Sequence, residues 1–339
     1  YWMPDVFEQY FARFNKKPSD YYDLVRLDPS YSIFFGKNDV MEVPAKLDDL
    51  YAMFDRYEPG SSKNLRKFLD EAEYKYRVGM SEFVQKPSHS IMEFADWRIV
   101  ASLFRLQMFS SISNSIHKLF KNEQLIPMLE FPVLFLGATP ENTPAMYSLM
   151  NYADISLGTW YPMGGMFKII EGMVKLAEEM GVKILLNQEV KSIQVPNGHA
   201  NKVITADAAY DADIVVGGAD YHHVEQQLLP ERSRQYTEKY WDKRVMAPSS
   251  LLFYLGINKK LEGLHHHNLF FDEDFDQHAI EIYDQPQWPS KPLFYACAPS
   301  VTDASVAPEG CENLFLLVPL APDLEDTEQM REKYFNIIM

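Results

Sequence analysis

Cysteine, long apolar runs and secretion signals are scarce or absent in this sequence of 339 residues. Only two cysteines occur, Cys297 and Cys311, so the sequence excludes a disulfide scaffold and indicates reduced thiols. No stretch of about 18 consecutive apolar residues is present, and residues 1–11 lack the basic, apolar and small-residue zones of a signal peptide. These absences predict a cytoplasmic protein that neither spans a membrane nor is secreted.

Positive charge is also in short supply along the chain. Lys and Arg number 32 against 48 Asp and Glu, which gives a formal net charge of -16. Nucleic-acid binding depends on clustered Lys and Arg side chains that neutralise phosphates. The sequence therefore argues against a nucleic-acid partner.

The short motifs of common catalytic and nucleotide-binding sites are missing as well. There is no G-x-G-x-x-G after a strand, no P-loop, no H-E-x-x-H, no C-x-x-C and no G-x-S-x-G. Gly217 and Gly218 follow an apolar run at 214–216, but the third glycine of a dinucleotide turn is lacking. No local motif of this kind identifies an enzyme.

The sequence has two histidine clusters, at 222–223 and 265–267, of the residue type that most often binds metals. Consecutive residues of a strand point to opposite faces of its sheet, so three neighbouring imidazoles do not surround one ion without unusual backbone geometry. We therefore expect no bound metal.

What is present is a large apolar content and a change of pattern along the chain. Hydrophobic residues make up 47% of the sequence, enough for a sizeable core. A hairpin is predicted at 31–43, and helical periodicity dominates the stretch from 46 to 152. From Tyr161 we predict a helix that ends at Gly181, then strands at 183–186, 190–195, 202–205 and 212–216, with a hairpin turn at 196–198. Helices and strands alternate after 221, so the expected fold is mixed α/β (α+β).

Five blocks of sequence occur in an order that resembles one protein family. They are 135–144 (FLGATPENTP), 161–166 (YPMGGM) with the helix and strand that follow, 212–223, 265–271 and 302–310. All are similar to segments of bacterial phytoene desaturases, and together they extend over essentially the whole chain. The resemblance is specific because it depends on the order of several blocks rather than on one motif.

This resemblance implies an FAD domain of the amine-oxidase type, intertwined with a substrate domain made of a mixed sheet and a helical layer. It assigns 1–158 and 221–339 to the substrate domain and 159–220 to part of the FAD domain. The Gly-rich phosphate-binding turn of the family would lie before Tyr1, and a further flavin-contacting motif beyond Met339. We therefore expect an internal fragment that binds FAD weakly or not at all and is inactive alone.

The family assigns roles to several residues of this chain. Val190 lies where the family uses a strand backbone to hydrogen-bond the adenine ring of FAD. Tyr161, Gly164 and Gly165 match the crossing between the domains, where paired glycines permit close approach of the backbone to isoalloxazine or polyene. A plain tight turn into a helix is the alternative for these three residues. The candidate substrate contacts are Trp160, Met163 and Trp97.

The reaction that the resemblance implies is desaturation of phytoene or a related carotenoid, with a hydride passing to flavin and a proton to a protein group. Asp96 is the candidate acid–base residue. The family commonly has an arginine two positions earlier, where this sequence has Phe94 or, with a one-residue shift, Ala95, so a fixed Arg–Asp pair is not expected. A solvated aspartate at a helix start is the alternative for Asp96. Because the substrate is a hydrocarbon, recognition must come from an apolar tunnel.

A basic, apolar island extends from 97 to 122 without any Asp or Glu. It combines Arg98, Arg105, Lys118 and Lys121 with many aliphatic and aromatic residues. Such a segment is typical of a helix that lies in a membrane surface, and a buried helix of the substrate domain is the alternative. The first interpretation predicts a protein peripheral to the inner membrane that takes its substrate from the lipid.

Two further functions stay open at this level. Related flavoproteins of the same fold carry out carotenoid oxidation or isomerisation, and a chain without flavin could act as a non-catalytic polyene-binding protein. A desaturase would pass its electrons to oxygen or a quinone. A flavin absorption spectrum separates the binder from the enzyme, and product analysis with phytoene separates the reactions.

Overall fold

The computed structural model describes residues 1–84, 106–134 and 136–339. These residues form two compact units, of which the first contains 1–173 and 247–339 and the second 174–246. The functional domains predicted from the sequence, 1–158, 159–220 and 221–339, are defined by flavin and substrate contacts. The division into units does not test them, and they stay a prediction.

Strands and helices alternate along much of the chain, which confirms the mixed α/β class. The strands are β1 (Leu24–Arg26), β2 (Tyr31–Gly36), β3 (Asp39–Val43), β4 (Trp160–Pro162), β5 (Val190–Gln194), β6 (Lys202–Thr205), β7 (Ala209–Asp211), β8 (Ser249–Ile257), β9 (His267–Phe270), β10 (Phe294–Cys297) and β11 (Glu312–Leu320). The longer α-helices are α1 (Pro4–Ala12), α2 (Leu47–Tyr57), α3 (Ser61–Val78), α4 (Ile112–Leu119), α5 (Leu125–Leu134), α6 (Phe167–Glu179), α7 (Phe275–Tyr283) and α8 (Glu328–Ile338).

A six-stranded mixed sheet forms the centre of the first unit, in the order β3-β2-β9-β10-β11-β8. Strands β2 and β9 run parallel, with Ser32 opposite Asn268, and the other neighbours are antiparallel. The hairpin predicted at 31–43 is confirmed as β2 and β3. A separate two-stranded ladder joins β1 to β4 and places Tyr161 opposite Val25.

Helices α2 to α5 pack on this sheet through one buried apolar cluster. The strand members follow the alternation of a pleated sheet, as Tyr31 and Ile33 do in β2. In α2 the members Leu50, Met53 and Phe54 lie three and four positions apart, the spacing of one helix face. The helical layer predicted between 46 and 152 therefore covers the sheet in the described residues.

Part of the described segment of the basic, apolar island, 106–122, belongs to this core. Ile112 and Ile116 of α4 and the following Phe120 have no exposed surface, whereas Phe109 is 77% exposed. For 112–120 the structure thus shows the buried helix that was the alternative to a membrane surface. Among the described residues no helix combines the length and apolarity needed to cross a bilayer. Residues 97–105 lie outside the described part of the chain.

An antiparallel three-stranded meander, β5-β6-β7, organises the second unit. Its small core contains Ile193, Val195 and Leu228. The turn predicted at Pro196–Gly198 connects β5 with β6 as one turn of 3-10 helix, with Asn197 in the left-handed region. The predicted turn is therefore confirmed. Asn197 and Gly198 suit it because both residue types tolerate positive φ.

Two strands predicted in the second unit do not form, which corrects the sequence-based prediction. Residues 183–186 and 212–216 belong to no ladder, and the third strand is Ala209–Asp211 instead. Ile214 and Val216 are 81% and 87% exposed. An apolar run becomes a strand only where a neighbouring backbone pairs with it along its length, and the Ala212 N–H to Asn201 carbonyl bond at 2.9 Å is a single bond that starts no ladder.

Candidate functional site

A tight turn between β4 and α6 contains most of the predicted site residues. Gly164 and Gly165 have φ values of 89° and 100°. This left-handed region costs a residue with a Cβ roughly 1–2 kcal/mol. A Cβ added to Gly164 would also come within 2.8 Å of Lys168 Cε. The backbone of the turn therefore requires the glycine pair that the sequence shows.

Asp303 anchors this turn from a distant part of the chain. Its Oδ2 accepts a hydrogen bond from the Gly164 backbone N–H at 2.6 Å and one from the Tyr161 hydroxyl at 3.4 Å. Its Oδ1 accepts from the hydroxyl and backbone N–H of Ser305. These bonds, the one from the Ser305 hydroxyl above all, hold the pKa of Asp303 below its ordinary value. An ionised carboxylate thus fixes the conformation of the turn.

Sequence reasoning missed Asp303 as a site residue. The block 302–310 contributes to the family resemblance, but its aspartate and the glycine that it binds are 139 positions apart. No local pattern predicts such a pair. A signal did exist in the sequence, because an Asp side chain in a loop often accepts a hydrogen bond from the backbone N–H two residues further on.

Tyr161 also begins a line of rings that passes into the central sheet. Its ring centroid is 4.5 Å from that of His266, which is 4.5 Å from that of His267. His266 Nδ1 lies 2.8 Å from the Thr302 hydroxyl oxygen, and His267 Nδ1 lies 2.5 Å from the Tyr295 hydroxyl oxygen. Each ring in the line is therefore held by a neighbour on another segment.

The titratable groups along this line are neutral at neutral pH. Burial lowers the pKa of His266 to about 4 and holds that of His267 well below its usual range. Burial also raises the pKa of the Tyr295 hydroxyl and of the Cys297 thiol. The line consequently offers hydrogen-bonding groups without net charge.

An apolar cavity of about 260 Å³ lies between the sheet and helices α5 and α7. Its wall is formed by Phe131, Leu134, Leu136, Gly137, Ala247, Pro248, Ser249, Ser250, Leu269, Phe271, Phe275, His278, Ala279, Ile282, Tyr283, Leu293, Phe294, Tyr295, Leu317 and Pro319. Helix α7 contributes Phe275, His278, Ala279 and Ile282, which lie on one face because they are spaced by three or four positions. Tyr295 belongs both to this wall and to the line of rings.

The buried polar side chains of the cavity wall are bonded within the protein. The Tyr283 hydroxyl donates to the Leu134 carbonyl at 2.7 Å. His278 Nδ1 accepts the Leu293 backbone N–H at 2.7 Å, and Tyr295 is engaged by His267. The two serines of the wall are exposed to solvent. A ligand inside the cavity would therefore meet an almost purely apolar surface.

The surface beside the glycine turn fits a flat, partly apolar ring such as the isoalloxazine of a flavin. Met166, Phe167 and Ile170 follow the turn, and about half or more of each side chain is exposed. A Cβ on Gly165 would meet only Val306, at 3.9 Å, so the backbone there is approachable. Gly164 and Gly165 lie beside this surface, whereas the Tyr161 side chain is buried. The flavin contacts expected of these three residues stay a prediction.

The other predicted site residues lie in different settings. Trp160 is half-buried and donates from Nε1 to the Leu157 carbonyl at 2.8 Å. Met163 is half-buried beside His266 in a second opening of the first unit. Val190 is the first residue of β5 in the second unit, where its side chain packs on the small core. Two candidates, Asp96 and Trp97, lie outside the described residues.

Comparison with known proteins identifies the family. A family model described as flavin containing amine oxidoreductase matches residues 11–270, and the chain belongs to this family. A carotenoid 3,4-desaturase from Haloarcula japonica is 39% identical over 336 residues, which cover 98% of this chain and 68% of that protein. A zeta-carotene-forming phytoene desaturase from Myxococcus xanthus is 29% identical, with 98% of this chain and 65% of that protein covered. The expected resemblance to phytoene desaturases is confirmed.

The chain spans about two thirds of the length of these two relatives, and 54% of the phytoene desaturase of Fusarium fujikuroi, to which it is 30% identical. A solved structure from Pyrococcus furiosus has a TM-score of 0.57 at 15% identity and covers 99% of this chain and 68% of its own. An oxidoreductase from Methanosarcina mazei has a TM-score of 0.53 at 16% identity, and the match covers 94% of this chain and 65% of that chain. These two likenesses concern the fold alone. The family itself confirms the expected amine-oxidase-type flavoprotein, with FAD as its cofactor.

Proposed function

We propose that the complete protein is an FAD-dependent carotenoid desaturase that dehydrogenates phytoene or a related polyene. The observation that carries this proposal is the apolar cavity, whose buried polar wall groups are bonded within the protein. A hydrocarbon gains roughly 0.8 kcal/mol for each methylene buried there and forms no directional bond. The similarity to two carotenoid desaturases supports the same class of substrate.

The residues of this chain would have separate roles in binding the cofactor and in binding the substrate. FAD, when bound, supplies the hydride acceptor. Tyr161, Gly164 and Gly165 would hold its ring, and the backbone at Val190 would contact its adenine. The cavity wall excludes water and holds the polyene, with Trp160, Met163 and Trp97 as the further substrate contacts proposed from the sequence.

Asp96 is the proposed acceptor of the proton that leaves the substrate. An Asp96→Asn variant of the complete enzyme should lose turnover and keep its flavin spectrum, since the amide cannot accept the proton. Intact turnover in that variant would remove Asp96 from the mechanism. Oxygen or a quinone is the proposed acceptor of the electrons.

We also propose that the complete protein associates with the inner membrane surface, since its substrate dissolves in lipid. Phe109 supports this proposal, because it is exposed within a stretch that carries Lys and Arg but no acidic residue. Ile112 and Ile116 do not support membrane contact, because they are buried in the core of the first unit. The proposed contact is therefore narrower than the whole island at 97–122.

Filling the cavity tests the proposed function. Ala279 is buried in the cavity wall, so Ala279→Phe in the complete, FAD-loaded protein places a ring where the polyene would lie. We expect kcat/KM for phytoene to fall at least about tenfold, which corresponds to about 1.4 kcal/mol, with an unchanged flavin absorption spectrum. Ala52→Phe, at an exposed position of α2, is the matched control and should keep its activity.

Three results would count against parts of this proposal. Equal rates for Ala279→Phe and the unsubstituted enzyme would show that the cavity does not hold the substrate. Oxygenated or isomerised products would favour the oxidase or isomerase alternative. A complete protein that binds polyene but shows no flavin absorption would favour the binding-protein alternative.

A further inference from the structure

Three side chains of types that can bind metals, two imidazoles and a thiol, converge beside the apolar cavity. His267 in β9 and Cys297 in β10 are direct partners in the antiparallel ladder. Such partners have Cβ atoms about 4.5–5.5 Å apart. One donor atom from each of His266, His267 and Cys297 lies within 4.8 Å of the other two. No other group of three His, Cys, Asp or Glu residues converges this closely in the part of the chain that the structure describes.

The local backbone explains why two consecutive histidines reach one point. Strand β9 begins at His267, and His266 lies in the bend before it. Asn268 holds this bend, because its Oδ1 accepts the His265 backbone N–H at 3.0 Å and its Nδ2 donates to the His265 carbonyl at 2.7 Å. The alternation of a straight strand therefore does not separate His266 from His267. His265 points elsewhere, with its Nε2 3.1 Å from Glu42 Oε1.

Both imidazoles of this group are oriented by a hydrogen bond through Nδ1. The partner of His266 is the Thr302 hydroxyl, and the partner of His267 is the Tyr295 hydroxyl. Histidines that bind metals are typically oriented in this way, because the bond through one ring nitrogen sets the tautomer and directs the other nitrogen at the ion. With Nδ1 of each ring engaged in this way, Nε2 would be the atom that binds an ion.

We propose that His266, His267 and Cys297 form a binding site for a thiophilic divalent cation, for which zinc has the matching donor preference. Three protein donors leave the fourth position of a tetrahedral ion to water. His266 also lines an opening of about 400 Å³ together with Met163 and Thr302, which provides a path of entry. The site is independent of desaturase activity, although Tyr295 places it one side chain away from the cavity.

Titration of the protein with cobalt(II) in the absence of added flavin tests this proposal. We expect one equivalent to bind with a thiolate-to-cobalt charge-transfer band that added zinc removes. Cys297→Ser should abolish the band because it removes the thiolate, and His267→Gln should weaken binding at least tenfold. Cys311→Ser and His265→Gln are the matched controls, since both residues lie outside the group, and they should bind as the unsubstituted protein does.

Thermal unfolding with and without zinc provides the second measurement. A ligand that binds only the folded state raises Tm, so zinc should raise the Tm of the unsubstituted protein and of Cys311→Ser but not of Cys297→Ser. His267→Gln keeps a side-chain partner for Tyr295, which separates a loss of binding from a loss of folding. The proposal is wrong if no charge-transfer band appears, or if the band survives in folded Cys297→Ser.

Discussion

Asp154 is a buried carboxyl group that faces two hydroxyl donors. Its oxygens accept hydrogen bonds from Tyr31 at 2.8 Å and from Thr159 at 3.2 Å. The Thr159 hydroxyl accepts in turn from the Trp2 indole at 3.0 Å. Burial raises the pKa of Asp154 to about 7, although both hydroxyl bonds act in the opposite direction. At neutral pH this carboxyl group is consequently close to its midpoint of ionisation.

This raised pKa makes stability depend on pH. An unfolded aspartate releases its proton near 3.8, whereas the folded protein retains it up to about pH 7. The folded state therefore binds more protons in this window, and the free energy of unfolding decreases as the pH rises through it. In Asp154→Asn, which does not ionise but can still accept from Tyr31, we expect a smaller decrease in urea unfolding measured across the window.

The control for this pH dependence is Asp284→Asn, at the exposed position that directly follows α7 in the sequence. It should reproduce the slope of the unsubstituted protein. Glu130 also makes the free energy of unfolding decrease with rising pH, because burial raises its pKa to about 7 as well. The pH dependence of stability should therefore be smaller in Asp154→Asn but not absent. Identical slopes for Asp154→Asn and the unsubstituted protein would show that this carboxyl group does not control the pH dependence.

The turn between β4 and α6 is the element on which the candidate site depends. Its start is fixed by the ladder with β1, its centre by the bond from Gly164 N–H to Asp303, and its end by the first residues of α6. Three separate segments of the first unit therefore define one short loop. A change in its backbone should alter both stability and the surface offered to a flavin.

Gly165→Ala tests the backbone of this turn. A Cβ at φ of 100° is strained even where space is available, so the free energy of unfolding should decrease by about 1–2 kcal/mol. Gly218→Ala is the matched control, because its φ lies outside the left-handed region and no atom lies within 4 Å of the added Cβ. Urea unfolding of both variants gives the comparison, and an equal effect in the two would contradict the role of φ.

At the scale of the whole molecule, the chain is acidic but contains a basic, apolar stretch at 97–122. The net charge of -16 opposes binding to anionic lipid, whereas this stretch favours it. Phe109, 77% exposed, is the most exposed of the described large apolar side chains of the stretch. The proposed membrane association thus depends on one small region rather than on the overall charge.

Liposome flotation of the complete protein measures this association. Phe109→Glu should reduce the floated fraction on anionic vesicles, because it removes an apolar contact and adds a negative charge. Tyr254→Glu changes an aromatic residue of nearly the same exposure, 76%, on β8 and should float as the unsubstituted protein does. Equal flotation of Phe109→Glu and the unsubstituted protein would refute the proposed membrane contact.

Much of this protein was determined by the sequence alone. The family, the α/β class, the hairpin at 31–43 and the glycine turn follow from ordered blocks and from local backbone preferences, which each short segment carries by itself. The functional candidates that depend on these blocks, Tyr161, Gly164 and Gly165, lie together in the structure for the same reason.

Contacts between groups that are far apart in the sequence arise only in the tertiary structure. Asp303 binds the turn across 139 positions, and Cys297 joins two histidines because β10 lies beside β9. The apolar runs at 183–186 and 212–216 form no strands in the second unit because strand formation requires a pairing neighbour. Contacts of this kind depend on sheet order and packing, which are properties of the folded chain that no single segment encodes.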